Sequence, residues 1–353
     1  MKVAVVQNRD FSGVINQFGR RCREKYSEKT VHAVVDALRQ DGHEVLLCEG
    51  DRNLLSVLSD FMPPDSSGRP TGMAFNMAYG IQGECRYTHV PATLEMAGVP
   101  YTGSDPLGHA LALDKVVTKD LIRLAGIPTP DYRVLRHGDD SIDGLRFPVV
   151  VKPCHESTSF GLRLVENRAQ LAEAVDNVVA VHQQDALVEE YVDGREVCVA
   201  LLGNDPMEFL PLVEQDFGDR GLRLVTWDDK HSKAVQEPKK KCPAPFSEDM
   251  ASVLRKISLA TFRACRCKDY ARVDIRIDRE GTPFVLEINS MASLGATGSY
   301  VLAGRTAGYS FPGLISRILD IAHERYFGMP APREGVRNSE QPARNAAAAA
   351  PSP

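Results

Sequence analysis

The chain of 353 residues contains no apolar run long enough to cross a bilayer, and its first residues, "MKVAVVQN", enter a strand directly without a signal peptide. Its net charge of −5 leaves no basic surplus for binding nucleic acid. The eight cysteines are scattered, and the closest pair, Cys265 and Cys267, is more simply two thiols on a helix than a metal site. We therefore expect a cytoplasmic protein with reduced thiols and with neither nucleic acid nor membrane as a partner.

The common nucleotide-binding fingerprints are also missing. No Walker sequence occurs, and no Gly-x-Gly-x-x-Gly follows the first strand. These absences exclude the most familiar phosphate-binding loops but not every phosphate-binding arrangement. The composition, with 43% hydrophobic and 25% charged residues, is typical of a globular chain long enough for two or three domains.

Strand and helix patterns alternate in the N-terminal part of the chain. The segments "KVAVVQ", "TVHAVVDALRQDG", "HEVLLC" and "MAFNMA" predict a β-α-β unit with a parallel sheet. From Phe147 onward short strand patterns dominate, and one clear helix, "RAQLAEAVDNVVAVHQQ", interrupts them. We predict a mixed fold, α/β in the N-terminal part and α+β after it. The predicted divisions are residues 1–110, 111–195 and 196–329, with a disordered tail over 330–353.

Two alternating segments near the C-terminus predict a β-hairpin: "YARVDIRID" over residues 270–278 and "FVLEIN" over residues 284–289. If Asp278 pairs with Pro283, the residues that face each other are Arg276 and Val285, Asp274 and Glu287, and Arg272 and Asn289. The apolar face then consists of Val273, Ile275, Ile277, Phe284, Leu286 and Ile288. A slip of one residue would bury the charges instead, so this register is favoured.

The predicted register sets two carboxylates, Asp274 and Glu287, directly opposite each other, which normally destabilises a sheet. Two like charges roughly 4 Å apart repel by about 4 kcal/mol at an effective dielectric of about 20. A bound cation would relieve the repulsion, and two carboxylates with the amide of Asn289 are hard oxygen ligands of the kind that Mg²⁺ takes. A solvated face with an ordinary Arg272–Asp274 ion pair explains the same residues equally well.

A second pattern joins a buried strand to a polar loop. In "FPVVVKPCHESTSFGLRLV" the strand delivers Lys152 at its end, and the loop over residues 156–161 contains Ser159 among other small polar residues. A lysine beside backbone N–H groups and hydroxyls suits polyphosphate. The simpler interpretation of a Lys-Pro pair before a polar loop is a turn, so this pattern is weak by itself.

A third pattern, "ALVEEYVDGREVCVALLG", predicts two strands joined by a turn at Asp193 and Gly194. Glu189 and Glu190 are adjacent in the otherwise apolar first strand, and Glu196 begins the second. Neighbouring residues point to opposite faces of a strand, so one of the two glutamates must share a face with apolar residues. A glutamate at the rim of an edge strand is the plain alternative to a ligand site.

Taken in order, "ALDK", "VVVKP" with its polar loop, "ALVEEYVDGRE" and "ARVDIRID" with "FVLEIN" resemble the ATP-grasp ligases, and within them the D-alanine–D-alanine ligases. The resemblance runs from the first strand to about Tyr326. It implies an ATP-grasp fold with an N-terminal parallel-sheet domain that precedes it. It also implies ATP and Mg²⁺ (or Mn²⁺) as cofactors, small-molecule amino acid or peptide substrates, and a homodimer.

The resemblance assigns roles to residues by matching position. The residues matched to the nucleotide are Lys115 and Lys152 at the phosphates, Glu189, Glu190, Tyr191 and Val192 at adenine, and Glu196 at the ribose. The residues matched to the metal are Asp274, Glu287 and Asn289. Catalysis is assigned to Arg272 at the oxyanion, to Lys230 in "TWDDKHSK" near the γ-phosphate, and to Ser159 in the polar loop.

Three departures from the family's pattern fall where the amino-acid substrates are expected. Tyr79 and Gly80 stand in place of a His-Gly pair, and Arg23 stands in place of a substrate-binding acid, with Glu24 next to it. After the metal ligands, "SMASLGATGSYV" replaces a Pro-Gly turn, and its last residues begin a helix whose N–H groups would hold a carboxylate. The residues implied for the substrate are Glu24, Tyr79, Ser299 and Tyr300.

The reaction implied by the resemblance has two steps. A substrate carboxylate attacks the γ-phosphorus of ATP to give an acyl phosphate, and an amine then displaces phosphate to form an amide. Three hypotheses follow: a D-alanine–D-alanine ligase that supplies a peptidoglycan precursor, a relative that joins other amino acids or a peptide, and a non-catalytic ATP-binding regulator. The opposed acids argue against the regulator, because such a protein has no need to keep them.

Overall fold

A computed structural model of the chain describes residues 1–9, 14–16, 21–157, 159–221, 223–225 and 238–333. Lys230 lies outside these residues, as does the predicted tail from residue 334 onward. Three β-sheets form the framework, with helices packed on them. Within the described ranges no helix has both the length and the apolar character needed to cross a membrane.

The strands are β1 (Lys2–Gln7), β2 (Glu44–Glu49), β3 (Gly72–Asn76), β4 (Tyr132–Leu135), β5 (Val149–Pro153), β6 (Arg163–Val165), β7 (Ala186–Glu190), β8 (Gly194–Gly203), β9 (Met207–Phe209), β10 (Val213–Asp216), β11 (Lys239–Lys241), β12 (Tyr270–Asp278) and β13 (Pro283–Asn289). The helices are α1 (Glu28–Gln40), α2 (Leu54–Phe61), α3 (His89–Ala97), α4 (Pro106–Leu113), α5 (Lys115–Leu124), α6 (Arg168–His182), α7 (Glu248–Ala264), α8 (Ser299–Thr306) and α9 (Phe311–Phe327). A short 3₁₀ turn, Arg86–Thr88, precedes α3.

The N-terminal unit is built on a three-stranded parallel sheet of order β2-β1-β3. Helix α1 begins after Ser27, whose side chain accepts a hydrogen bond from the N–H of Thr30. Its buried face, which includes Val31, Val34 and Leu38, packs in one core with the C-terminal helix α9. The prediction of a parallel N-terminal sheet is confirmed, and the chain returns at its far end to complete that unit's core.

The rest of the chain forms two further sheets. One is a four-stranded antiparallel sheet of order β4-β7-β5-β6, and the other has the order β11-β10-β8-β12-β13 with β9 beside β8. Helix α6 packs on the smaller of these sheets and α7 on the larger one. The predicted mixture of α/β and α+β architecture is therefore confirmed.

The predicted turn at Asp193 and Gly194 is wrong. Strand β7 belongs to the four-stranded sheet and β8 to the larger one, so residues 191–193 cross between sheets and do not close a hairpin. Gly194 is required because a Cβ there would lie 1.9 Å from the carbonyl oxygen of Ile277 on the adjacent strand β12. A local turn pattern cannot distinguish this crossing from a hairpin.

The β12–β13 hairpin follows the predicted register only at the end that contains Arg272 and Asp274. Arg272 pairs with Asn289 and Asp274 with Glu287, but a β-bulge then shifts the pairing, so that Ile275 faces Val285. The predicted pairings of Arg276 with Val285 and of Asp278 with Pro283 are wrong. Because of the shift, Val285 packs in the apolar core, and the extra residue, Leu286, lines the central cavity.

Asp269 ties distant parts of the fold together. Its carboxylate is fully buried and accepts hydrogen bonds from the N–H of Gly103 at 2.8 Å and from the side-chain amide of Asn204 at 3.0 Å. Arg325 of α9 donates to both carboxylate oxygens at 2.9 Å. One acid therefore joins the N-terminal unit, the turn after β8 and the last helix.

We predict that Asp269→Ala will lower the free energy of unfolding by about 3 kcal/mol, because it removes a fully buried carboxylate and leaves the half-buried guanidinium of Arg325 without its counter-charge. Urea denaturation followed by circular dichroism measures this change. The exposed Asp139→Ala serves as the matched control and should shift stability by less than about 0.5 kcal/mol. Equal effects of the two substitutions would contradict this role for Asp269.

Candidate active site

A cavity of about 740 Å³ lies where the two larger sheets meet the N-terminal unit. Its lining includes every site residue predicted from the sequence except Lys230, which lies outside the described residues, and Tyr300. The side chain of Tyr300 is fully buried behind the cavity, and its hydroxyl donates to the carbonyl oxygen of Leu201 at 3.0 Å. The predicted residues come from separate stretches of chain between residues 24 and 299, and the fold brings them together.

The opposed carboxylates are compensated by two cations. Arg272 donates two hydrogen bonds, of 2.7 and 2.6 Å, to the carboxylate of Asp274. Burial of the guanidinium alone would lower the pKa of Arg272. The charge of Asp274 outweighs this effect, so the pKa of Arg272 is raised. Lys115 lies with its Nζ 3.5 Å from Glu287. Asn289 donates its amide N–H to Asp274 at 3.0 Å. The acids are thus held side by side and face the cavity.

The chemistry of this group fits a hard divalent cation. Asp274 and Glu287 supply carboxylate oxygens and Asn289 an amide oxygen, and all three line the cavity. Within the described ranges, no cluster of three or more His, Cys, Asp or Glu side chains could hold an ion. A cation would therefore depend on the amide of Asn289 and on oxygen atoms from water or a phosphate to complete its shell.

Two lysines reach the same part of the cavity from different elements. Lys115 is the first residue of α5, which Asp114 caps by accepting hydrogen bonds from Val116 and Val117. Its ammonium group donates to the carbonyl oxygen of Glu156 in the polar loop. Lys152 is the penultimate residue of β5. Both lysines line the cavity together with Asp274, Glu287 and Asn289, and we call the two ammonium groups the cationic floor, because they suit a phosphate.

Two residues of the polar loop after β5 have backbone conformations that favour glycine. Ser159 has φ 61° and Gly161 has φ 80°, and both values lie in the left-handed region. A Cβ at Gly161 would meet His182 at 2.5 Å, so this glycine is also required by the close approach of α6. The turn brings Ser159 and Phe160 to the cavity.

Glu189 does not point freely into the predicted adenine pocket. Its buried carboxylate contacts Lys152 with one oxygen and lies 2.7 Å from the Nζ of Lys119 with the other. Burial alone would raise the pKa of Glu189, but the two ammonium groups hold it below its ordinary value. Lys119 was not predicted as a site residue.

The crossing between the sheets forms another wall of the cavity. Tyr191 packs against the guanidinium of Arg276, which lies 4.8 Å from the ring centre and 3.6 Å from the carboxylate of Glu196. Arg276 is 2% exposed and also donates to the carbonyl oxygen of Arg223 at 2.7 Å. On the outer side, Arg146 binds Glu190, and its hydrogen bonds lower the pKa of that carboxyl.

The N-terminal unit contributes a stack of tyrosines to the cavity wall. Tyr79 lies 5.0 Å from Tyr26 and 5.4 Å from Tyr87, measured between ring centres. Burial raises the pKa of Tyr26 to about 12, so these phenols are neutral. The hydroxyl of Tyr87 donates to the carboxylate of Glu24. Rings this close cannot admit a ligand between them, so the stack forms a closed wall of the cavity.

Arg86 joins this wall to the polar loop. The side chain is 3% exposed, donates to the carbonyl oxygen of His155 at 2.9 Å and lies 3.5 Å from the carboxylate of Glu156. It also lies 3.8 Å from Glu24. A nearby contact, between the guanidinium of Arg23 and the ring of Phe160 at 4.7 Å, links the same two regions.

At the far end of the cavity, Ser299 begins α8 and accepts a hydrogen bond from the side chain of Gln215 at 3.3 Å. Gln215 also lines the cavity, next to Lys240 on the adjacent strand. This end of the cavity is polar and carries a helix N-terminus, which favours an anionic group.

Sequence reasoning missed Leu286, Arg276, Arg86 and Lys119. Arg276 is two residues beyond Asp274 on the same strand, so the period of two that selected Arg272 and Asp274 could have selected it as well. Leu286 required knowledge of the bulge. Arg86 and Lys119 lie on helical segments whose local pattern carries no sign of their distant partners.

Comparison with known proteins agrees with this geometry. The family model described as D-ala D-ala ligase C-terminus matches residues 121–320. The D-alanine–D-alanine ligase of Desulforudis audaxviator is 32% identical over 314 residues, covering 87% of this chain and 97% of that protein. The chain belongs to the D-alanine–D-alanine ligase family. Its resemblance to this ATP-grasp family, predicted from the sequence, is confirmed.

Two further proteins, one compared by sequence and one by structure, are similar to this chain. A Sinorhizobium fredii protein named "Uncharacterized protein y4sG" is 57% identical over 332 residues, covering 93% of this chain and 98% of that one. The crystal structure of the Bacillus anthracis D-alanine–D-alanine ligase complexed with ATP has a TM-score of 0.73 at 22% identity, covering 92% of this chain and 98% of that chain. This structural likeness confirms the ATP-grasp fold.

We predict that Arg86→Gln will lower the free energy of unfolding by about 3 kcal/mol, because two carboxylates then lose the buried cation between them. Amide hydrogen exchange should also accelerate at residues 155–157, whose position Arg86 holds. Urea denaturation and exchange followed by mass spectrometry measure these effects. The exposed Arg52→Gln is the control. Unchanged exchange in the loop would show that Arg86 does not hold it.

Proposed function

We propose that this chain is an ATP-dependent ligase that joins a carboxylate to an amine through an acyl phosphate. The observation that carries the proposal is the convergence of Asp274, Glu287 and Asn289 with Lys115, Lys152 and Arg272 on one cavity. Hard oxygen ligands next to two ammonium groups suit a metal-bound polyphosphate, and a guanidinium next to them suits a developing oxyanion. Family membership supports the same reaction class.

At the phosphate end, Lys115 and Lys152 bind and orient the anionic oxygens of ATP, while Asp274, Glu287 and Asn289 would hold Mg²⁺ (or Mn²⁺). When bound, such an ion would neutralise part of the negative charge on the phosphates. The polar loop with Ser159 covers the same end. Its backbone N–H groups and hydroxyls offer further donors to the γ-phosphate.

At the reacting end, the substrate carboxylate oxygen forms a bond to the γ-phosphorus, and the bond from that phosphorus to the β,γ-bridging oxygen breaks to release ADP. The amine then attacks the acyl carbon, phosphate leaves, and the amine loses a proton. Arg272 is fixed by its two hydrogen bonds to Asp274 and lines the cavity, so it stabilises the oxyanion of the tetrahedral intermediate there. Lys230 remains a prediction for the γ-phosphate.

At the nucleoside end, Tyr191, Val192 and Leu286 form an apolar wall for the base. Glu196 accepts hydrogen bonds from the ribose hydroxyls, and Arg276 holds that carboxylate in place at 3.6 Å. The hydrogen bonds of Glu190 with the backbone N–H and guanidinium of Arg146 hold the edge of this pocket. The backbone of residues 189–192 is thereby positioned to read the base edge.

Membership of the D-alanine–D-alanine ligase family favours D-alanine as the substrate. The protein would then act in the cytoplasm and supply a precursor of peptidoglycan. A second candidate, a ligase that joins other amino acids or a peptide, is favoured by the wall of Tyr26, Tyr79 and Tyr87 and by Arg23 at the position of a substrate-binding acid. In either case Glu24 is the nearest acid for a substrate ammonium group, and Ser299 with the N-terminus of α8 binds a carboxylate. A homodimer stays a prediction.

Phosphate release from Mg²⁺-ATP separates these candidates. Purified protein is screened against single amino acids and pairs of both chiralities, and the products are identified by mass spectrometry. Turnover with D-alanine alone, giving the D,D-dipeptide, supports the first candidate. Turnover only with other pairs supports the second. Absence of turnover with every pair tested, despite ATP binding, would favour the non-catalytic alternative.

We predict that Glu287→Gln will reduce kcat by at least about 100-fold, because it removes one of two charged ligands for the metal while preserving shape. Measurement of phosphate release with the pair identified in the screen tests this. Glu280→Gln, an exposed change on the same hairpin, is the matched control and should keep full activity. Undiminished turnover in Glu287→Gln would show the metal assignment to be wrong.

A further inference from the structure

Lys152, one of the two lysines of the cationic floor, belongs to a buried cluster of one carboxylate and two ammonium groups. Glu189 is 3% exposed, Lys152 6% and Lys119 0%. Lys152 and Glu189 come from adjacent strands: Glu189 pairs with Val150, and Lys152 is two residues further along the same strand, so both side chains lie on one face. Lys119 approaches the carboxylate from helix α5, with its Nζ 2.7 Å from the Oε2 atom.

Lys119 is held firmly and out of reach of a ligand. Its Nζ donates to the hydroxyl of Thr129 at 2.7 Å, and that hydroxyl donates to the carbonyl oxygen of Val285 at 2.8 Å. Glu189 and Lys152 line the cavity, whereas Lys119 does not. Lys119 therefore makes no direct contact with a molecule bound in the cavity and can act on it only through its charge and through its hold on Glu189.

The charges of this cluster do not cancel. One carboxylate and two protonated lysines carry a net charge of +1, and the lysine that faces the cavity is Lys152. Without Lys119, Glu189 would neutralise Lys152 completely, and the cluster would offer no net charge to an anion. Because the cluster is buried, its field is weakly screened on the cavity side.

We propose that Lys119 is a positioning residue that competes with Lys152 for Glu189 and so leaves the charge of Lys152 available to the nucleotide's phosphates. This inference rests on the proposed function, because it concerns the phosphate end of the same site. The two lysines that share Glu189 then have different roles. Lys152 binds phosphate, and Lys119 sets the affinity of Lys152 for it.

The protonation of Lys119 gives the cluster a pH dependence. Burial lowers the pKa of Lys119 to about 8, against the opposing effect of Glu189. Glu189 and Lys152 face Lys119 from the four-stranded sheet, and Arg123 lies one turn further along α5. The ring centre of Tyr132 lies 5.6 Å from the Nζ of Lys119. Glu287 of β13 pairs with Lys115, at the start of the same helix. Below about pH 8 the cluster is positive, and above it the cluster becomes neutral, so phosphate binding should weaken as the pH rises.

Nucleotide binding without turnover tests this inference. Calorimetry measures the Kd of ADP with Mg²⁺, and of adenosine, for the wild type, Lys119→Met and Lys119→Arg at pH 7 and pH 9. We expect the wild-type Kd for ADP to rise several-fold between these pH values, and Lys119→Met to raise it roughly tenfold at pH 7. Lys119→Arg should bind ADP at both pH values like the wild type at pH 7, since arginine stays charged. The Kd for adenosine should stay constant throughout.

The controls separate this inference from a structural role and from the proposed function. Thermal unfolding confirms that each variant is folded, and the exposed Lys256→Met should bind like the wild type. Equal weakening of ADP and adenosine in Lys119→Met, or an unchanged Kd for ADP, overturns the role of Lys119. Failure of the wild type to bind ADP at all at either pH overturns the proposed function itself.

Discussion

The structure depends on the pairing of Asp274 with Glu287 across β12 and β13. Two carboxylates forced into direct opposition must be compensated, and their neighbours are arranged to do so. Arg272 binds one acid and Lys115 approaches the other, while Asn289 donates to the first. Lys115 is the first residue of α5, and the same helix brings Lys119 to Glu189 one turn later. The residues that compensate the two acids, Arg272, Lys115 and Asn289, are thus held together at the cavity.

The sequence predicted this functional end of the hairpin because a period of two is a strong constraint where one face is buried and the other polar. Asp274, Glu287, Arg272 and Asn289 lie as that argument placed them. The same argument failed beyond Asp274, where a bulge shifts the phase. It also failed at Asp193 and Gly194, because the residues of a hairpin turn and of a crossing between sheets are alike.

The contacts that the sequence could not predict are those between residues far apart in the chain. Arg86 meets Glu156 across 70 positions, and Asp269 meets Gly103 across 166. No local period or propensity encodes such pairs, since each partner alone is an ordinary charged or small residue. The alternation of strands and helices predicted the fold class. The buried ion pairs that join the parts emerge only when the tertiary structure is complete.

The bulge at Leu286 makes β13 a strand with two phases. Val285, before the bulge, and Ile288, after it, both pack in the core. The two residues between them, Leu286 and Glu287, therefore both line the cavity, although consecutive residues of a regular strand would face opposite sides. A single strand can in this way present an apolar side chain and a carboxylate to the cavity in consecutive positions. The length of β13 is fixed as a result, because loss of one residue here would restore simple alternation and remove the contribution of this strand to the apolar side of the cavity.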